Sequence, residues 1–89
     1  MKQSDFAEVE RLCALHDTAS CDYAHCERFY KELAEFLDNM EDAKEWKVAD
    51  VVMEALVNCV PNPSGTCKTA DRVKATMRKL RNLAEKRAA

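Results

Sequence analysis

One glycine and two prolines in 89 residues restrict this chain more than any other feature. A β-protein of this length needs turn residues every ~8–12 positions. Here Pro61, Pro63 and Gly65 all fall in one short stretch. The length suits one domain, residues 1–89. The apolar fraction is 47%, but 13 of those positions are alanine, so the core is modest. Charged residues make up 34%, and no stretch approaches ~18 uninterrupted apolar residues. The most apolar segment, Val48 to Val60, is broken by Asp50, Glu54 and Asn58. The expected class is all-α, without a membrane span.

Caps and periodicity divide the chain into four helices. Ser4 is the expected first cap, and Phe6, Val9, Leu12, Cys13 and His16 recur at three- and four-residue steps. Asp17 to Ser20 reads as a break, with Ser20 or Asp22 capping the next helix. Tyr23, Cys26, Tyr30, Leu33, Leu37 and Met40 then form a seam, which Phe29 and Phe36 widen. At 100° per residue these side chains cover about 140° of the wheel, enough for two neighbours. Asp42 and Glu45 have the spacing of a capping box for a third helix. Its expected face is Trp46, Ala49, Val52, Met53, Leu56 and Val60, extended by Val48, Val51 and Val57. Pro61 and Pro63 end it. Thr66 or Thr69 opens the fourth helix, whose face is Ala70, Val73, Met77, Leu80 and Ala84. Short links favour antiparallel neighbours, so a compact four-helix bundle is expected. Val51 or Val57 offers a route to a homodimer.

Charge is segregated along the chain. Residues 1–67 hold six basic and 14 acidic side chains, a balance of −8. Residues 68–89 hold eight basic and two acidic, a balance of +6. With the apolar face of the last helix in the core, Lys68, Arg72, Lys79 and Lys86 point outward, while Lys74, Arg78 and Arg81 lie on a flank within reach of acidic neighbours. Glu32, Glu35 and Asp38 point away from the seam of the second helix, where carboxylates can meet a basic cleft on a partner. These seven outward residues are the expected partner-binding set.

The window 13–26 holds Cys13, His16, Cys21, His25 and Cys26. A helix–turn–helix could gather them into a zinc site, although the spacing matches no standard finger. The competing view makes Cys13 and Cys26 small core side chains, with no cofactor needed. A Cys–His nucleophile lacks any nearby oxyanion hole, and one glycine excludes phosphate loops and dinucleotide fingerprints. Five cysteines, an odd number, fit a reduced cytoplasmic chain better than a closed disulfide framework. Cys59 and Cys67 are the best-placed pair if one forms. The N-terminus has no secretory-signal pattern.

The expected function is therefore a non-enzymatic helical module that binds another protein, acting as an inhibitor or regulator. Nucleic-acid binding by the basic helix is the alternative, and a zinc-stabilised domain a third.

Overall fold

Helices of 13 to 20 residues are marginal alone in water, so each must bury a face against others. The computed structural model describes residues 1–18, 23–59 and 68–88. Within them lie α1 (Gln3–Thr18), α2 (Tyr23–Asp42), α3 (Trp46–Asn58) and α4 (Ala70–Ala88). Contacts run α1 to α2, α2 to α3, α3 to α4 and α4 back to α1; no pair meets across the diagonal among the described residues. Cross-links fix the directions. Gln3 donates to the Ala88 carbonyl, Glu10 meets Arg81, and Cys13 donates to the Met77 carbonyl, so α1 and α4 are antiparallel. Arg11 reaches Glu32 and His16 stacks near Phe29, reversing α2 against α1. Glu45 with Arg87, and Glu54 with Lys79, do the same for α3 and α4. The chain is an all-α four-helix bundle with antiparallel neighbours.

Each helix supplies one stripe to the core. Val9 and Leu12 come from α1, and Phe29, Leu33, Phe36, Leu37 and Met40 from α2. Val48, Ala49, Val51, Val52 and Ala55 come from α3, and Val73, Thr76, Met77, Leu80 and Ala84 from α4. Thr76 is the one buried polar side chain among the described residues; its hydroxyl donates to the Arg72 carbonyl at 3.0 Å, which lifts the desolvation cost.

Four sequence expectations change. Ser4 lies inside α1; Asp5 closes the end instead, its carboxylate accepting from the Lys2 backbone N–H at 3.0 Å. The seam of α2 turns toward Phe29 and Phe36, leaving Tyr23 38% and Tyr30 39% exposed. Phenol hydroxyls stay wet at an edge more cheaply than in the core. In α3 the buried seam is Val48, Val52, Ala55 and Cys59, rotated by about one residue from the expected face. Trp46, Met53 and Val57 are left 58%, 47% and 70% exposed. Small valines and alanine let α3 sit close between two neighbours, where a tryptophan would hold it away. Val51 is correspondingly buried.

The fourth change is at the α2–α3 turn, where Asp42 ends α2 rather than capping α3. The Lys44 N–H donates to the Glu41 carbonyl at 3.0 Å, and the Glu45 N–H to the Met40 carbonyl at 2.9 Å. With Lys44 at φ 58°, this is a Schellman motif carrying lysine where glycine is usual. Glu45 takes the N-cap position of α3 without a side-chain cap bond. Its carboxylate instead holds Arg87 through two 2.7 Å bonds. Thr69 immediately precedes α4, and its hydroxyl donates to the Asn58 carbonyl at 2.6 Å, tying the end of α3 to the start of α4. The expected caps Ser20, Asp22 and Thr66, the stop at Pro61 and Pro63, and the Cys59–Cys67 pairing fall wholly or partly outside the described residues.

Candidate partner-binding surfaces

Helix α4 turns Val73, Met77, Leu80 and Ala84 inward, which fixes where its cations stand. Lys68, which lies in the turn before α4 and not on the helix as expected, and Arg72 and Lys86 on it are exposed, and no carboxylate among the described residues lies within ion-pair distance of them. Lys79 differs from expectation. It leans to the flank facing α3, and its Nζ lies 3.6 Å from Glu54 Oε2. On the other flank Arg81 pairs with Glu10 at 3.5 Å, as its position suggested. Lys74 and Arg78, also flank residues, are exposed and make no such pair among the described residues.

Ala75 and Asn82 lie seven residues apart on the outward side of α4, where shorter side chains leave a depression. It holds about 460 Å³, with Val51, Leu83 and Ala75 offering apolar walls and Arg78, Lys79 and Lys86 around it. Its charged groups are all cations. Sequence reasoning placed Lys79 and Lys86 on this side but missed Arg78 and the hollow, because a wheel shows directions and not the heights of neighbouring side chains.

The acidic candidates divide. Glu32 is no outward carboxylate: it accepts from Arg28 Nε at 2.6 Å and pairs with Arg11 at 2.6 Å. Arg28 foremost, with Arg11 behind it, holds its carboxyl below the usual range. Arg11 also grips Glu8, so the α1–α2 flank is a charge network satisfied within the bundle. Glu35 and Asp38 remain exposed with no cation paired to them among the described residues.

The cysteine and histidine window is dispersed. The Cys13 thiol donates to the Met77 carbonyl at 3.6 Å, and burial is the main cause pushing its pKa up. His16 packs its ring 4.9 Å from that of Phe29, tilted by 57°, and burial pushes its pKa down. Both border a cleft of about 200 Å³ between α1 and α4, with Asp17, Lys74, Arg78 and Arg81. His25 and Cys26 lie in the first turns of α2, and Cys21 is outside the described residues. Among the described residues no three metal-binding side chains come together. No described helix is long and apolar enough to cross a membrane.

The sequence matches no protein-family model, and neither the curated proteins nor the solved structures yield a match.

Proposed function

We propose that the chain is a non-enzymatic interaction module whose α4 docks onto an acidic surface of another protein. The observation that carries this is the set Arg72, Arg78 and Lys86 on α4, with Lys68 in the turn just before it, all exposed and without a carboxylate partner among the described residues. Cations not consumed within the fold are available for steering and register at an interface. The hollow at Ala75 adds an apolar foothold among them, which suits a protein side chain better than a phosphate. Duplex DNA is the weaker partner, because the −8 balance of residues 1–67 repels the polyanion that α4 attracts. No aromatic residue lies on α4 to stack on a base.

Cys13 beside His16 is poorly suited to act as a nucleophile. An activated thiol is held as thiolate, whereas burial here favours the neutral thiol.

The test uses a glutamate-rich dodecapeptide and a 20-base-pair duplex as probes, with the wild type and a variant carrying Lys68, Arg72, Arg78 and Lys86 all as glutamine. Saturable peptide binding that weakens with salt and is lost in the variant is expected. Sub-micromolar duplex binding at physiological salt, falling at about 0.9 per phosphate contact on the double-logarithmic salt plot, would overturn the protein-partner assignment.

A further inference from the structure

Beyond the cationic face of α4, and independently of it, α3 carries a second surface. Trp46, Asp50, Met53 and Val57 are spaced 4-3-4, which places them on one stripe roughly opposite the buried Val48, Val52 and Ala55. Trp46, Met53 and Val57 are all exposed. The turn at 43–45 folds α2 antiparallel to α3, which sets Tyr30 level with the Val57 end; Glu32 and Phe29 face Arg11 and His16 of α1, so the exposed Tyr30 falls on the opposite flank of α2, toward α3. The stripe spans about 16 Å, three helical turns. Tryptophan, tyrosine and methionine are the apolar side chains most enriched at interface centres.

The charge within the stripe and those on the α2 edge at its two ends are acidic. Glu41 stands on α2 near the Trp46 end, Glu27 toward the Val57 end, and Asp50 in the stripe itself. Lys31 lies further round α2, Lys47 on the side of α3 that Glu54 turns to α4, and Lys44 in the turn beyond the Trp46 end. We propose that this α2–α3 face receives a cationic amphipathic helix of a partner protein, its apolar side on Trp46, Met53 and Val57 and its cations on Asp50, Glu41 and Glu27. A second copy of the chain fits poorly. Parallel two-fold pairing of the stripes brings Asp50 beside its own counterpart, where like charges repel, and antiparallel pairing sets each Asp50 carboxylate against the apolar Met53 of the other copy with no cation to meet it. Helix α4 of another copy brings cations, but its apolar side is already buried in its own core.

Trp46 is the only tryptophan, so its emission reports on this face alone. The probe is a 14-residue leucine–lysine peptide patterned for one apolar helical face, titrated into the intact chain. A saturable blue shift at one peptide per chain is expected. It should weaken at least tenfold in D50K and disappear in M53E, with helical content unchanged in each. The K79Q/K86Q variant should keep it, which separates this face from α4; failure of the glutamate-peptide test above would leave this result standing. V57K, with Trp46 retained, should also weaken binding. No shift, an equal shift with a scrambled isomer of the peptide, or a blue shift that grows with protein concentration alone and accompanies a dimer in sedimentation would each overturn the proposal.

Discussion

Lys44→Gly should stabilise the bundle, because the turn between α2 and α3 asks a lysine to adopt φ 58°. A left-handed backbone costs a residue with a Cβ roughly 1–2 kcal/mol. Glycine removes that cost but gives back about 0.4–1 kcal/mol through the greater freedom of its unfolded chain. The net is about 0.8 kcal/mol from the middle of both ranges, which for a domain of this size raises Tm by about 3–6 °C. Both Schellman bonds, to Glu41 and Met40, involve backbone atoms and survive the change. Urea melts with an unchanged slope and a raised midpoint provide the assay. Asp42→Ala is the companion. A capping box would make that change cost about 0.5–2 kcal/mol. With Asp42 in the last turn of α2, where a negative charge opposes the helix dipole, it should be neutral or slightly stabilising. A loss in Lys44→Gly together with a loss above 0.5 kcal/mol in Asp42→Ala would refute the turn geometry.

Leu33 is fully buried in α2, so Leu33→Ala should cost about 2–5 kcal/mol, and a loss below ~1 kcal/mol would remove it from the core. Trp46→Ala should cost about 1 kcal/mol or less, and native Trp46 emission should shift little on unfolding; a loss above ~2 kcal/mol would contradict its exposure. Acid should weaken the fold. Glu32 and Glu45 are held below the usual carboxylate range, chiefly by Arg28 and Arg87, so their contributions are full above the unfolded carboxyl range and fade as pH falls through the folded values. His16, pushed down by burial, adds a decline that begins near the ordinary histidine value of about 6.5, because the unfolded chain takes the proton first. Urea midpoints between pH 7 and 3 should fall throughout, and His16→Phe should flatten the part above about pH 5; a midpoint that rises on acidification would contradict both assignments.

The ease of reading each helix from sequence followed how sharply its polar and apolar residues separate. In α4, Val73, Met77, Leu80 and Ala84 stand against lysines and arginines and are buried as expected, while Ala70, the fifth residue of the expected face, is half-buried at the helix start. In α3 apolar residues occur round most of the circumference, so periodicity alone fits more than one face. Packing chose the small side chains for the interior and left Trp46, Met53 and Val57 outside. The string Asp42-Ala43-Lys44-Glu45 satisfies a capping box on paper; the positive φ at Lys44, a backbone property that residue type seldom signals outside glycine and asparagine, decides otherwise. Glu32 and Lys79 looked outward on their own helices, but an isolated wheel has no neighbour on it. Arg11 and Glu54 come from α1 and α3, and they convert two candidate contact residues into internal ion pairs.

The most direct measurement of the α4 assignment is a residue-by-residue NMR titration of isotope-labelled chain with the glutamate-rich dodecapeptide. Backbone and side-chain shifts should concentrate at Lys68, Arg72, Ala75, Arg78, Asn82 and Lys86, with α1 and α2 unmoved. Shifts centred on the α2–α3 face, or none at millimolar peptide in low salt, would contradict it.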